Sequence, residues 1–359
     1  MAIATGRLES FKLAELAQNG VQSAHFRAAL KRDHAAIVEL PEGDRPEIAA
    51  MWSYAAKFFA LSAETKNAMG PLDEPEFSED HLGQPRLLGF TQMSANDCLD
   101  TRLRRRPPSD AAVRGTLEIL PRQLEASLPG ATQAIVKAQQ VLFGVGMTAL
   151  RVVIDGLDGE PLALLESTSE SICCCSNSLP EGATSATVHR FVRYAANGEE
   201  ACEEDEPIKH QPPVATKEMS SSAELAFPAH TDGTWFTVIP CAAQLGLEVH
   251  AGSGWLSLEA EGRHGVDVAV LTGQFLESLS KFEYAAASHR VVRPKLGEPA
   301  RLSAPLLMRA AASYRDQCKQ AHTRKQIRGY PGGTAVAGSH AGPRVDSAGR
   351  PEGNVNFKD

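Results

Sequence analysis

The sequence lacks long apolar runs. No segment of about eighteen consecutive apolar residues occurs among its 359 residues, so a transmembrane helix is not predicted. Charged side chains are interspersed between Met1 and Leu13, where a secretory signal would need an apolar stretch. We therefore expect no membrane partner and a cytosolic location.

An excess of positive charge is also absent. The chain carries 36 Lys and Arg residues against 44 Asp and Glu residues, which gives a formal net charge of −8. Binding to a nucleic-acid backbone requires an excess of basic residues on one face of the protein. We therefore expect no nucleic-acid partner.

Cysteine is scarce and follows no known pattern. The seven cysteines include the consecutive run 173–175, and none of their spacings matches paired Cys-X-X-Cys motifs or a disulfide framework. Reduced thiols are the simpler interpretation. The run itself is more typical of small residues in a strand or loop than of a metal site.

Several common catalytic motifs are missing. The chain has no Gly-X-Ser-X-Gly elbow and no phosphate-binding loop that ends in Gly-Lys-Ser/Thr. Gly144 and Gly146 are not followed by the rest of a dinucleotide-binding fingerprint, and they predict close helix packing instead. No convincing pair of a general acid and a general base is found.

Apolar residues recur at helical spacing in two regions. Four of them between Ile48 and Phe59 predict a helix over 45–61, and Ser62 is a candidate N-cap for a short helix after it. A second, longer pattern over 135–152 predicts a helix that packs against a sheet.

After residue 165 the pattern changes to short β-like segments separated by turn residues. Many short strands at near-regular spacing indicate a sandwich or a jelly roll. We expect a mixed α+β fold with a double-stranded β-helix (jelly roll) core, a helical N-terminal region and a long packing helix. The predicted strands are 187–194, 235–239, 246–250, 255–258, 266–272 and 303–308.

The composition also suggests a domain organisation. An acidic, proline- and serine-containing stretch is predicted to be a surface insertion, and the Gly/Pro/Ser-rich end of the chain is predicted to be disordered. The predicted parts are a helical N-terminal region 1–110, connecting helices 111–160, a jelly-roll core 161–310 with the polar insertion 195–223, a C-terminal helix 311–330 and a disordered tail 331–359.

Three residues form a candidate metal site. His230 and Asp232 are two positions apart, so on an extended strand end both side chains point to the same face. His289 follows Asp232 by 57 residues, at the start of a β-like run. Two imidazoles and one carboxylate form the facial arrangement that leaves three iron positions open. The same ligand set also suits Zn²⁺ with bound water.

A second pair lies twelve residues after His289. Arg301 and Ser303 alternate on one predicted strand face, where a guanidinium and a hydroxyl can together bind a carboxylate. His-X-Asp alone is a weak motif. The order His-X-Asp, His, Arg-X-Ser is much more specific.

With these motifs the sequence resembles the isopenicillin-N-synthase-like family of Fe(II)- and 2-oxoglutarate-dependent oxygenases over nearly its whole length. The resemblance is strongest in the C-terminal part and weaker in the N-terminal helices. The matching segments are Lys57-Phe58-Phe59-Ala60-Leu61, Glu64-Thr65-Lys66, Gly89-Phe90, His230-Thr231-Asp232, Thr237, Gly246-Leu247-Glu248-Val249, Gly254-Trp255, Leu271-Thr272-Gly273 and Ser288-His289-Arg290-Val291-Val292.

The resemblance implies a function as well as a fold. The three candidate ligands would bind Fe(II), Arg301 and Ser303 would hold the distal carboxylate of 2-oxoglutarate, and Tyr194 would also touch this co-substrate. With O₂, the enzyme would hydroxylate, desaturate or cyclise a small-molecule metabolite and release succinate and CO₂. No catalytic residue beyond the metal ligands is implied.

The sequence departs from the family pattern at two positions. Val192 stands where Asn is frequent, and Gln274 stands where an acidic residue usually follows a glycine. Three alternatives stay open: an iron oxidase of the same fold that does not use 2-oxoglutarate, a zinc hydrolase, and a jelly-roll binding protein without turnover. The zinc alternative leaves Arg301 and Ser303 unexplained. The motifs specify neither the primary substrate nor the oligomeric state.

Overall fold

The computed structural model of the chain describes most of the N-terminal half and the regions that carry the predicted site. The Cys run 173–175, nearly all of the polar insertion, the predicted C-terminal helix 311–330 and the predicted tail 331–359 lie outside the described residues. The described residues are 7–18, 20–72, 88–92, 96–105, 117–157, 184–196, 224–252 and 254–309.

The N-terminal part combines helices with two short strands. The helix predicted over 45–61 is α3, and Ser62 caps the next helix because its Oγ accepts a hydrogen bond from the Thr65 amide at 3.2 Å. The elements are β1 (Ser10–Lys12), α1 (Leu13–Leu16), α2 (Val21–Asp33), β2 (Ala35–Glu39), α3 (Arg45–Phe59) and α4 (Ala63–Asn67).

Two further strands, β3 (Gly89–Gln92) and β4 (Asn96–Arg105), fall inside the region 1–110 that the sequence predicts to be helical. The region is therefore mixed. Strand β4 does not look like a buried strand in the sequence because Asp100 and Arg102 interrupt its apolar residues, yet both side chains are buried in the structure. Hydropathy cannot identify a strand whose buried charges are paired with other groups.

The long predicted helix is α6 (Ala131–Ile154), which follows β5 (Leu117–Leu120) and α5 (Gln123–Ser127). Helix α6 packs against α3 on one side and the large sheet on the other. A Cβ atom at Gly146 would overlap the Met308 side chain, so glycine permits this close approach.

Five of the six predicted strands agree with strands of the structure within about two residues, and β7 and β12 were not among the six. The strand predicted over 303–308 is two strands, because Pro305 lacks the amide hydrogen needed to continue the ladder. The remaining elements are β6 (Val188–Tyr194), β7 (Leu225–His230), β8 (Phe236–Pro240), β9 (Leu247–Ala251), β10 (Gly254–Ser257), α7 (Leu258–Glu261), β11 (Asp267–Thr272), α8 (Gln274–Leu279), β12 (His289–Val292), β13 (Arg301–Ser303) and β14 (Leu306–Leu307).

The described strands form two sheets. The large sheet has the order β1-β2-β11-β8-β14-β6-β4-β3, with β13 paired to β6 and β5 paired to β4, and all of its pairings except β1 with β2 are antiparallel. The small sheet has the antiparallel order β10-β9-β12-β7.

The buried hydrophobic residues in the described part of the chain form two clusters. One lies between the large sheet and the helices, with Phe26, Phe58 and Leu142 among its members. The other joins residues of the two sheets, such as Ile239 of β8 and Val249 of β9. The two sheets therefore face each other, and the space between them is where the predicted site lies. None of the described helices is both long enough and apolar enough to cross a membrane.

Candidate metal and co-substrate site

A pocket opens between the two sheets and brings the sequence-predicted site residues together. The metal-ligand candidates, Tyr194 and Ser303 line it directly, whereas Arg301 lies in the wall behind Tyr194. The lining residues are Asn96, Cys98, Arg190, Val192, Tyr194, Phe227, His230, Asp232, Thr237, Ile239, Leu247, His289, Val291, Ser303, Pro305 and Leu307.

The two histidines are neighbours across the small sheet. His230 ends β7, His289 begins β12, and the two residues are directly paired in the antiparallel register. Their ring centroids are 4.2 Å apart. Each Nε2 atom faces a different oxygen of Asp232, at 3.7 Å for His230 and 3.6 Å for His289. A ligand atom from each of the three side chains lies within 4.8 Å of the other two.

Both imidazoles are oriented through their other nitrogen. The Nδ1 atom of His230 lies 2.9 Å from the Pro228 carbonyl oxygen, and that of His289 lies 3.1 Å from the Ala287 carbonyl oxygen. A hydrogen on Nδ1 donates to each carbonyl, which leaves each Nε2 with a free lone pair directed into the pocket. This second contact is the usual way in which proteins fix a metal-binding histidine.

The Asp232 carboxylate is also held in place by a hydrogen bond. The Thr237 hydroxyl donates to Asp232 Oδ2 at 2.6 Å, and Thr237 itself lies 3.1 Å from the Thr234 hydroxyl. Burial alone would raise the pKa of Asp232, but the neighbouring His289 and His230 and the Thr237 hydrogen bond outweigh it and lower the pKa. The carboxylate is therefore ionised at neutral pH.

The pKa of His230 is lowered to about 4, first by burial and then by His289. His230 is thus neutral at pH 7, and Asp232 is charged. These are the protonation states that a divalent metal ion requires of its ligands.

Gln274, the first residue of helix α8, holds the loop between His230 and the next strand by two hydrogen bonds. The Gln274 side chain donates to the Thr231 hydroxyl at 2.8 Å, and the Gln274 amide donates to the Asp232 carbonyl oxygen at 2.9 Å. Gln274, which departs from the family pattern, therefore contacts the loop that carries the candidate carboxylate ligand.

Arg301 is fully enclosed. Its Nη2 donates to Glu259 Oε1 at 2.5 Å, and the Glu259 Oε2 atom accepts from the Leu247 amide at 3.0 Å. Gly246 lies so close that a Cβ atom there would be 2.8 Å from Arg301 Cδ. The Nε and Nη1 atoms of Arg301 are buried and have no hydrogen-bond partner within the described part of the chain.

Strand register places the other two predicted residues beside this arginine. Arg301 pairs with Tyr194 across β13 and β6, and its guanidinium carbon lies 5.4 Å from the centre of the Tyr194 ring. Ser303 pairs with Val192 two residues along the same strands. Burial raises the pKa of Tyr194 to about 12, so its phenol stays protonated and able to donate a hydrogen bond.

A second arginine, not singled out by the sequence motifs, also lines the pocket. Arg190 of β6 donates from Nε and Nη2 to the two carboxylate oxygens of Asp100, at 2.7 Å and 2.8 Å. Asp100 lies directly opposite on β4. Glu259, Asp100 and Arg190 were missed because partners far apart in sequence create their roles. For Asp100 and Arg190 the available signal was a charged residue within an apolar strand, whereas Glu259 in helix α7 gave none.

Comparisons with known proteins bear on the fold of the chain. No family model and no curated protein matches the chain. Among solved structures, similar folds include a protein of the 2OG-Fe(II) oxygenase family from Caulobacter crescentus, with 18% identity, a TM-score of 0.56, and coverage of 89% of this chain and 98% of that chain.

Two further similar structures have known ligands. A full-length Neurospora crassa protein in complex with alpha-KG and thymine has 13% identity and a TM-score of 0.56, with coverage of 86% of this chain and 88% of that chain. Dioxygenase for auxin oxidation 1 from Arabidopsis thaliana, bound to 2-oxoglutarate, has 15% identity and a TM-score of 0.54, with coverage of 85% and 94%. The chain thus has the fold of the 2-oxoglutarate- and Fe(II)-dependent oxygenases, as its motifs predict.

Proposed function

We propose that this protein is an Fe(II)- and 2-oxoglutarate-dependent dioxygenase that oxidises a small organic molecule. The observation that carries the proposal is the convergence of His230, Asp232 and His289 on one point of a pocket whose wall contains Arg301. The motif order in the sequence and the fold both support the same conclusion.

The donor set fits ferrous iron. Two neutral imidazole nitrogens and one carboxylate are the ligands that bind non-haem Fe(II) on one face and leave the other positions open. The three side chains are already oriented by the Pro228 and Ala287 carbonyls and by Thr237, so little reorganisation is needed when a metal ion binds.

The arginine end of the pocket fits the co-substrate. Nε and Nη1 of Arg301 are buried donors without a partner among the described residues, and buried donors of this kind normally have one. A carboxylate would satisfy them, with the Ser303 and Tyr194 hydroxyls as additional donors. We assign these three residues to the distal carboxylate of 2-oxoglutarate.

Iron with 2-oxoglutarate and O₂ supplies oxidative decarboxylation to succinate and CO₂, coupled to oxidation of a substrate C–H bond. The protein's own residues position the reactants. His230, Asp232 and His289 would hold the metal, and Phe227, Leu247 and Val291 give the pocket an apolar lining beside it. No titrating acid or base is needed for this role.

The substrate class follows from the size of the site and from the similar structures. The pocket lies between two sheets and is lined by sixteen described residues, which suits a small molecule rather than a macromolecule. Thymine, a small molecule, is bound to the Neurospora crassa protein. Hydroxylation, desaturation and ring closure are all compatible with this site.

The test is co-substrate turnover. Fe(II)-loaded protein should convert 2-oxoglutarate to succinate in the presence of O₂, slowly without a primary substrate, while the Zn²⁺-loaded protein and Asp232→Ala should not. O₂ consumption without 2-oxoglutarate would instead indicate an iron oxidase. Hydrolytic activity of the Zn²⁺ form alone would indicate a zinc enzyme, and tight ligand binding without any turnover would indicate a binding protein.

A further inference from the structure

The Arg190–Asp100 pair is not used by the proposed metal and co-substrate chemistry. Arg190 lines the pocket from the same side of β6 as Val192 and Tyr194. The Arg190 side chain is 35% exposed, whereas Asp100 behind it is 7% exposed. A side chain that lines the space between the two sheets and still keeps a third of its surface open is in contact with the pocket interior.

The geometry of the pair leaves one edge of the guanidinium available. Asp100 occupies Nε and Nη2 in a bidentate contact. No described residue accepts a hydrogen bond from Nη1 of Arg190, so Nη1 and the second hydrogen of Nη2 form a free fork. A planar fork of two N–H donors matches a carboxylate in geometry and charge.

A purely structural role explains the pair poorly. Replacing a buried ion pair with apolar residues is often neutral or stabilising, so fold stability alone does not require these charges in the pocket wall. Among the described residues of the lining, Arg190 is the one guanidinium and Asp232 the one carboxylate, and Asp232 belongs to the candidate metal site. An incoming carboxylate would therefore meet a free positive edge at Arg190.

Arg190 is also separate from the co-substrate end. Arg190 and Tyr194 are four residues apart on β6, which corresponds to roughly 13 Å along a strand. Arg301 lies beside Tyr194. In the proposed function Arg301 holds one carboxylate of 2-oxoglutarate and the 2-oxo acid end would chelate the metal, so neither end of the co-substrate requires Arg190. The second arginine is thus left for another ligand.

We infer that Arg190, positioned by Asp100, binds a carboxylate group of the primary substrate. The inference rests on the proposed function and narrows its substrate class to small organic acids. Asp100 acts through Arg190 as a positioning residue, since it fixes the direction of the free fork.

The test uses Fe(II)-loaded protein with 2-oxoglutarate under nitrogen, where no turnover occurs. Phenylacetate, cinnamate and cyclohexanecarboxylate are each compared with the matching primary amide, and binding is measured by ligand-observed NMR. At least one acid should bind wild-type protein tenfold or more tightly than its amide. Arg190→Gln should remove this preference, and Arg190→Lys should retain part of it because the charge remains.

Two further variants control for folding and for position. The double variant Asp100→Asn, Arg190→Gln replaces the ion pair with two amides and avoids an unpaired buried carboxylate; it should also lose the preference. Arg193→Gln changes an arginine on the same strand that lies outside the pocket lining, and it should bind the acids as wild type does.

The outcomes separate this inference from the proposed function. If no acid binds better than its amide, or if Arg190→Gln binds the acids like wild type, the inference is wrong even when 2-oxoglutarate binds normally. If Arg190→Gln loses 2-oxoglutarate instead, Arg190 serves the co-substrate and the inference is again wrong. If wild-type protein shows no 2-oxoglutarate bound to iron but Arg190 still governs acid binding, the proposed function fails and the carboxylate site stands.

Discussion

Two arginine–carboxylate pairs flank the pocket, and they differ in their contact with water. The Arg301 and Glu259 side chains are 1% and 2% exposed, whereas those of Arg190 and Asp100 are 35% and 7% exposed. Both carboxylates fix their guanidinium by short hydrogen bonds. The Arg301–Glu259 pair, here called the closed pair, has its geometry set by packing. The Arg190–Asp100 pair, here called the open pair, can exchange water for a ligand.

This difference suggests how one pocket can serve two ligands. A fully enclosed arginine with two donors that no described residue satisfies suits a ligand that is the same in every reaction cycle. An arginine with one open edge suits the ligand that differs between enzymes of this fold. Arg190 lines the same pocket as the metal-ligand candidates, and Arg301 lies in the wall behind Tyr194.

The largest expected effect comes from removing the carboxylate ligand Asp232 while both arginine–carboxylate pairs are kept. Asp232→Ala should lower Fe(II) affinity by more than about 100-fold and abolish turnover, because the only negative charge of the ligand set is lost. Thermal melting of the metal-free protein should stay close to wild type. Fe(II) titration under nitrogen measures the affinity, with Glu224→Ala as the control at an exposed carboxylate. Normal turnover by Asp232→Ala would show that another carboxylate binds the metal.

The two pairs should differ in stability when each carboxylate is removed. Glu259→Ala leaves Arg301 charged and without water, and should cost about 3–5 kcal/mol of the free energy of unfolding. Asp100→Ala should cost only about 1–2 kcal/mol, because Arg190 can remain hydrated from the pocket. Urea unfolding of the metal-free variants measures both values. Equal losses would mean that the two arginines do not differ in solvent access.

Strand β6 offers a second comparison, between its two faces. His189 is fully buried on the face opposite Arg190, and burial lowers its pKa to about 3. Unfolding restores its ordinary pKa near 6.5, so this contribution to stability is present above pH 6.5 and is lost as the pH falls towards 3. Acid unfolding should therefore be less steep in His189→Leu than in wild type. Parallel pH–stability curves for wild type and His189→Leu would contradict the lowered pKa of His189.

The last comparison concerns the Arg301–Glu259 pair alone. The double variant Arg301→Gln, Glu259→Gln removes both charges without leaving either one unpaired. It should need about 10- to 100-fold more 2-oxoglutarate for half-maximal succinate release, because a charge-assisted carboxylate contact is lost. The requirement for the primary substrate should change much less. Unchanged dependence on 2-oxoglutarate would remove Arg301 from the co-substrate site.

The sequence was most informative where local spacing determines geometry. The pair His230 and Asp232 shares one strand end, and Arg301 with Ser303 shares one strand face, so both motifs could be recognised without a structure. Helix α3 and the cap of α4 were predictable for the same reason, since periodicity and capping are local properties.

The sequence was less informative where distant partners decide the outcome. Strand β4 was not predicted because Asp100 is acceptable in a buried strand only when Arg190 lies opposite it, 90 positions later. Glu259 gave no signal for the same reason, since its partner Arg301 is 42 positions away. Buried polar pairs are thus the features that sequence periodicity misses, and in this protein they surround the pocket.

The most direct test of the central claim is an anaerobic titration of the metal-free protein with Fe(II) and then with 2-oxoglutarate. A weak visible charge-transfer absorption should appear when the 2-oxo acid chelates the iron, should be unchanged in Arg190→Gln, and should require far more 2-oxoglutarate in the Arg301→Gln, Glu259→Gln variant. Iron binding without this absorption at any 2-oxoglutarate concentration would contradict the proposed co-substrate and favour an oxidase or a zinc enzyme.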